Sequence, residues 1–279
     1  MSFFAIFGIA CCFIAVIYSY LGGSSIYQIQ NPDGRPNYFY ITSFSNAGFG
    51  NIIRPSFIYD EPGAFSFLIC FVVCFRILLK KSPLITSLIM VSGLITFSLT
   101  HFILVILYFI FNLRIRLNIL APLFIIILSG PLILNNNELK PFIDRIENFN
   151  SADNNRVNQL ENFLTNVEIS NVIFAGEVEC QNSDVKNACY KKYGDLSSSP
   201  LSVIFYNGIL GLIIQIAIYI SFIYYIFKSR FFVFPSLCML ILTIQRPYFF
   251  STGYSTMILL ILFLMVFSKK PMEIHNDKT

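Results

Sequence analysis

The chain has 279 residues, of which 56% are hydrophobic and 12% charged, with a formal net charge of +4 at pH 7. A soluble domain carries about a quarter charged residues, so composition excludes an ordinary water-soluble enzyme. Several apolar runs approach the roughly 20 residues needed to cross a bilayer, and they lack the alternation of barrel strands. The expected fold class is all-α: a polytopic helical membrane protein with about eight transmembrane helices and one large outer loop. Nothing in the chain calls for a nucleic-acid partner.

In chain order, the first span is expected at Phe3 to Leu21. Met1 to Tyr20 lacks a basic n-region and a small-residue cleavage pattern, so it reads as a retained span. Gly22 to Tyr59 is polar and turn-rich (Gly22-Gly23, Asn31-Pro32-Asp33-Gly34) and reads as a loop, with residues 22–61 forming one outer segment. A second span is expected at Pro62 to Leu79, closed by Lys80-Lys81. Pro62 suits a first helical turn, and Asp60 or Glu61 suits its cap, Asp60 being the plainer choice.

Pro83 to Phe111 is apolar throughout and too long for one span without strong tilt. Its middle is Ser98-Leu99-Thr100-His101. The expectation is two short spans, Pro83–Phe97 and His101–Leu113, with that tetrapeptide at the tip. Arg114 and Arg116 follow, then a span at Leu117 to Leu134, which closes a first helical region over residues 1–134. Residues 135–200 form a hydrophilic segment with ten acidic and six basic residues. Spans at Leu201–Phe227, Phe231–Phe250 and Ser251–Phe267 make up a second helical region, 201–268, and residues 269–279 form a polar tail.

Basic residues decide the sidedness. With eight spans and the N-terminus inside, Lys80/Lys81, Arg114/Arg116, Lys228/Arg230 and Lys269/Lys270 all fall on the cytoplasmic side. The two long loops fall outside, and both termini are cytoplasmic. A single helix over Pro83–Phe111 would send the last two basic pairs outside.

Seven cysteines are present. Cys11, Cys12, Cys70, Cys74 and Cys238 lie in apolar runs and read as packing. Cys70 and Cys74 share a helix face, but no further Cys or His stands nearby to complete a metal site. Cys180 and Cys189 lie in the hydrophilic loop, where a disulfide and a free thiol pair are both open.

Four stretches in order resemble one family. "RPSFIYDEPGAFSFL" (Arg54–Leu68) is similar to the arginine, aromatic, Glu-Pro segment that opens a span in Wzy-type O-antigen polymerases. "LITFSLTHFILVIL" (Leu94–Leu107) is similar to their Thr-x-Ser turn between two spans. "NNRVNQLENFLTNVEISNVIFAG" (Asn154–Gly176) resembles the arginine-to-glycine element of their large periplasmic loop. "SSSPLSVIFYNGILGLI" (Ser197–Ile213) resembles the start of the span after it, with Gly208 and Gly211. The likeness covers Ile41 to Phe267. Family members carry more spans before the first of these stretches, so the chain is expected to be a short member or one lacking an N-terminal portion. Ligases of the same superfamily carry a histidine in the large loop, and Asn135–Pro200 has none.

The resemblance implies glycosyl transfer at the periplasmic face of a bacterial inner membrane. The implied donor is a growing glycan on undecaprenyl pyrophosphate, and the implied acceptor is a hydroxyl of the next lipid-linked repeat unit. The membrane lipid is the medium, and a polysaccharide chain-length regulator would be compatible. The pyrophosphate leaving group calls for permanent positive charge, which arginine supplies. The acceptor hydroxyl calls for a carboxylate base. No Asp-x-Asp and no histidine cluster is present, so a metal-free site with no cofactor is expected.

The expected catalytic residues are Glu61, Arg54 and Arg156. Arg54 is the leaving-group ligand, against a reading as an arginine snorkelling at a helix end. Glu61 is the base or orients the acceptor, against a reading as a helix N-terminal acid favoured by the macrodipole. Arg156 belongs to the arginine-to-glycine element, against an ordinary solvated charge; Arg145 has the same chemistry without the motif. Arg246, at the outer end of an apolar span, is expected to bind substrate, with Gln245 orienting a sugar hydroxyl. Tyr59 and Tyr248 fit an interfacial aromatic belt or a sugar-stacking role. His101 is a candidate proton acceptor at the hairpin tip, where a plain polar residue is the commoner finding. A transporter or flippase is the reading from another class. It would place ionisable residues at mid-membrane, whereas here they gather at the outer rims.

Overall fold

In a computed structural model, the described residues are 1–30, 36–46, 48–49, 52–112, 161, 164–165, 202–246, 249 and 251–268. The expected span at Leu117–Leu134, the loop candidates Arg145 and Arg156, Cys180 and Cys189, Tyr248, Arg114/Arg116 and Lys269/Lys270 all lie outside them.

The described residues are mostly helical. They hold α1 (Ser2–Tyr20), α2 (Pro62–Leu78), α3 (Pro83–Ser92), α4 (Leu99–Asn112), α5 (Ser202–Lys228), α6 (Arg230–Gln245) and α7 (Thr252–Phe267). A 3-10 turn, Gly93–Thr96, joins α3 to α4. Two helices, α1 and α5, are long and apolar enough to cross a membrane by length and composition. The others are apolar but run 10–17 residues.

Between α1 and α2 the chain is not an irregular loop, as its polarity suggested. It forms β1 (Tyr27–Gln30), β2 (Pro36–Tyr40) and β3 (Ser43–Ser45) in an antiparallel sheet, then a β4–β5 pair (Gly48–Phe49, Ile52–Ile53). The alternating aromatics Tyr38, Tyr40 and Phe44 suit a pleated, half-buried surface. The β2–β3 loop is Ile41-Thr42, since Tyr40 pairs with Ser43. Ile41 takes φ 42°, which two-residue hairpin loops demand and which a β-branched residue resists. An anchor on α1 accompanies that conformation: Thr42 Oγ1 donates to the Cys11 carbonyl at 2.7 Å.

The core is built around α2. Phe65, Phe67, Ile69, Phe71 and Val73 are all buried, so the helix is covered on every side, as its all-round apolar sequence requires. It touches α1, α3, α4, α6 and α7. Phe67 meets Tyr254 of α7 edge-on at 4.6 Å between centroids. Tyr108 of α4 meets Phe234 of α6 at 5.2 Å. Such contacts add about 0.5–1.5 kcal/mol each beyond area burial.

Antiparallel packing gives the bundle two chemically different ends. At one end Arg76, near the end of α2, donates to Thr86 Oγ1 at 3.0 Å and to Ser2 Oγ at 3.1 Å. Ser268, after α7, donates to the Leu78 carbonyl at 3.4 Å. Lys80 and Lys81 follow α2 at this end, and Lys228 and Arg230 form the α5–α6 junction. The first residues of α2, the turn between α3 and α4, and the end of α6 belong to the opposite end.

The break in the Pro83–Phe111 run falls close to where its polar middle suggested, at Gly93–Ser98. Phe97 adopts the left-handed conformation (φ 48°, ψ 35°), which reverses the chain. Leu99, Thr100 and His101, expected at the tip, instead form the first turn of α4.

Gly208 interrupts α5 with φ 60° and ψ −159°, a region open to glycine alone. The remaining Ile209–Lys228 segment is about 30 Å long at 1.5 Å per residue, the depth of a bilayer's hydrocarbon core.

Candidate functional site

The candidate site forms where the Asp60-Glu61-Pro62-Gly63 corner meets the ends of α6 and α7. Pro62 opens α2 as expected, its fixed φ suiting the first turn. Glu61 is the N-cap residue by backbone (φ −149°, ψ 153°), yet its side chain makes no cap bond. Its carboxylate instead pairs with the Arg246 guanidinium, across 185 positions of sequence. Asp60 is therefore not the cap, and Glu61 is a cap in position only.

Arg246 follows the last turn of α6, where its backbone N–H still bonds the Leu242 carbonyl at 2.9 Å. A cation there is favoured by the helix macrodipole. The side chain is 9% exposed, against 26% for Glu61. Arg246 also hydrogen-bonds the side chain of Tyr254, three residues into α7. The guanidinium reaches Glu61 by passing directly over Gly63. A Cβ at that position would lie 2.7 Å from Arg246 Nη2.

Asp60 is exposed at the rim beside this pair. Loss of water around its carboxyl, and then the neighbouring Glu61 charge, raise it above the usual carboxylate value; Arg246 opposes the rise. The corner holds two carboxylates and one guanidinium, so with all three ionised it carries a net −1. The ring of Tyr59 stacks on Phe65 at 6.0 Å, and burial raises its hydroxyl above the ordinary tyrosine value.

Arg54 is half-buried and donates from Nη2 to the Phe97 carbonyl at 3.1 Å. It thus braces the left-handed turn between α3 and α4. Gln245, the last residue of α6, is half-buried beside Arg246.

His101 departs from expectation. It is fully buried rather than on an outer tip. Its Nε2 donates to the Met90 carbonyl at 2.8 Å, and Nδ1 lies 2.9 Å from Ser66 Oγ. A carbonyl only accepts, so the proton is on Nε2, and in the neutral ring Nδ1 accepts from Ser66. The imidazole ties α2, α3 and α4 together. A Cβ at Gly93 would lie 2.4 Å from Nε2, so the small residue makes room for the ring.

Sequence reasoning brought Glu61 and Arg246 to the same side and left their contact open. It missed Tyr254 and Gly63. Gly63 carried one signal, a glycine in a first helical turn where it weakens the helix. Tyr254 carried none, being one of fifteen tyrosines in an aromatic chain.

The described residues contain no group of three or more His, Cys, Asp or Glu side chains able to hold a metal ion. The arrangement offers an ion pair with a second, exposed acidic residue beside it, at the edge of a helical bundle. No family model, curated protein or solved structure gives a significant match to the chain.

Proposed function

We propose that the chain is a membrane glycosyltransferase of the Wzy polymerase type. It would join lipid-pyrophosphate-linked repeat units into a surface polysaccharide at the periplasmic face of the bacterial inner membrane. The observation that carries this reading is the Glu61–Arg246 pair with Asp60 beside it. This gathers carboxylates and a guanidinium from the corner that resembles the family and from the distant α6–α7 junction. The site is at the opposite end from Arg76, Lys80, Lys81, Lys228 and Arg230. Basic residues favour cytoplasmic ends, and that separation supports a reading with the site on the outer side of an eight-span arrangement whose termini are both inside.

In the reaction an acceptor hydroxyl oxygen attacks the anomeric carbon of the donor. The bond from that carbon to the pyrophosphate oxygen breaks, and pyrophosphate leaves with the electron pair. The hydroxyl proton passes to a carboxylate of the Asp60-Glu61 corner. Arg54, and Arg156 from the long loop, would neutralise the leaving group. Arg246 is committed to Glu61, so its part is to hold that carboxylate rather than to bind pyrophosphate.

The test is complementation of a strain lacking its own polymerase, read as the polysaccharide ladder on a gel. The wild-type chain is expected to restore the ladder and Arg54→Ala to lose it. A complete polymer that fails only to reach the lipid A core would identify a ligase instead. Lipid-linked units that stay on the cytoplasmic side would identify a flippase.

A further inference from the structure

At the end of the bundle opposite Glu61, α5 and α7 leave a groove between them. On α5, Ile220, Tyr224 and Lys228 follow one another at four-residue intervals, and Ser221 and Tyr225 form the adjacent row. Side chains four apart lie one above the other on a helix face, so the two rows make one stripe that ends on an ammonium. Leu262 and Val266, also four apart, stand across from it on α7. Together Ile220, Ser221, Tyr224, Tyr225, Leu262 and Val266 line a volume of about 390 Å³. That is within the range of small-molecule pockets. The row from Ile220 to Lys228 is about 12 Å long at 1.5 Å per residue.

The groove is open, since Ile220, Tyr224 and Val266 are all exposed. Its lining is mostly apolar. The Ser221 hydroxyl is turned back on its own helix and donates to the Ala217 carbonyl at 2.8 Å. At the end of the groove the Lys228 ammonium lies over two rings, 5.0 Å from the centroid of Tyr225 and 5.5 Å from that of Tyr224. This attraction keeps the charge at the head of the groove. Lys228 and, two residues on, Arg230 are both exposed, and neither has a carboxylate partner among the described residues. Helix α6 begins at Arg230, so its partly positive N-terminus adds to the same junction.

A ligand that satisfies both halves of this surface is long, apolar and anionic at one end. A small free anion would gain nothing from the lining, and a chain with a neutral head would gain little from the cations. We infer that the α5–α7 groove binds an anionic phospholipid, with an acyl chain along Ile220, Tyr224, Leu262 and Val266 and the phosphate on Lys228 beside Arg230. Basic pockets between spanning helices hold anionic headgroups in this way. The groove opens on the surface of α5, one of the two helices long and apolar enough to cross a bilayer. It is at the opposite end from the Glu61–Arg246 pair and calls for no glycosyl transfer.

The experiment uses the full-length chain, purified in detergent and delipidated. It is titrated in separate arms with dioleoylphosphatidylglycerol, dioleoylphosphatidylcholine and inorganic phosphate. Bound lipid is counted by native mass spectrometry, and the melting temperature is followed alongside. Phosphatidylglycerol is expected to saturate at one tight site per chain, with an affinity that falls as salt is added. One basic residue at an anionic lipid is worth about fivefold in affinity, so Lys228→Gln is expected to lose about that much and Lys228→Arg to keep it. Ser221→Trp fills the groove without touching a charge and is expected to lose phosphatidylglycerol as well. Lys228 is exposed, so its variants should fold, and they decide the matter if Ser221→Trp does not. Equal retention of the two lipids by the wild-type chain would show a belt of lipid without a site and overturn the inference. So would a Lys228→Gln chain that binds phosphatidylglycerol as tightly as wild type. Inorganic phosphate that displaces phosphatidylglycerol at equal concentration would overturn it in favour of a free-anion site.

Discussion

Arg76 and Arg246 are equally buried, 9% and 8% exposed, at opposite ends of one bundle. Their partners differ in kind. Arg76 donates to hydroxyls and a carbonyl from α1, the start of α3 and the residue before it. These neutral acceptors all belong to the frame, so the guanidinium works as a clamp on three segments. Arg246 faces a carboxylate that is itself partly open, with a second carboxylate and a tyrosine beside it. Depth alone therefore does not mark a functional arginine. What separates the two is whether the partner charge borders accessible space.

Substitutions at the two ends should separate these roles. Glu61→Ala leaves Arg246 without its counter-charge and should cost about 3 kcal/mol, the low end for a broken buried pair because Glu61 is partly exposed. The loss would be read by denaturant titration in detergent micelles, together with loss of the polysaccharide ladder. An unchanged midpoint would place the pair among contacts that contribute nothing. Arg76→Met should cost about 2 kcal/mol, from losing charge-assisted hydrogen bonds to neutral acceptors. Polymer made per folded molecule should not change, and a lost ladder at undiminished stability would erase the distinction between the ends.

Gly63→Ala should cost about 1 kcal/mol, at the mild end of overpacking, because the atom it meets is the tip of a side chain. That tip is the one holding Glu61, so the ladder should shorten more than the stability falls. Glu61→Ala and Gly63→Ala should then fail to add in a double-mutant cycle.

The smallest effect is expected at Asp60. Its carboxyl is raised in the folded protein, so ionising it costs stability. That cost is absent below its unfolded value, where both states are protonated. It grows as pH rises toward the folded value and is complete above it. Asp60→Asn should raise the melting temperature slightly at neutral pH, and the gain should vanish on acidification below the ordinary aspartate range. A gain that instead grows at low pH would reverse the sign of the linkage.

Much of the helical layout was legible because apolar length and terminal signals act locally. Pro62, Pro83 and the lysines after Leu79 bracket α2 and α3, and the helices that form lie within a few residues of the runs that announced them. The exception among the longer runs is Phe231–Phe250, whose helix stops at Gln245, where the Arg246 backbone leaves the helical region at φ −135° and ψ 87°. The small sheet was not legible. Its β2–β3 loop uses Ile41-Thr42 in place of the Asn-Gly or Asp-Gly that would announce a hairpin, and the Thr42 bond to Cys11 that accompanies it comes from another element. His101 was misplaced for a related reason. A polar residue in an apolar run reads as a chain reversal, but three partners on neighbouring helices let the interior accept it.

By itself the sequence determined where apolar helices form, which ends carry the lysines, and that Arg54, Asp60 and Glu61 stand together before a span. Those features follow from local hydrophobicity, proline and charge. Only the tertiary structure decided that Glu61 turns from its own helix to Arg246, that Gly63 leaves the space for that contact, and that Arg54 braces the Phe97 turn. Each of these depends on which helices lie side by side, and side-chain reach across a packed interface has no signature in the spacing of a single chain.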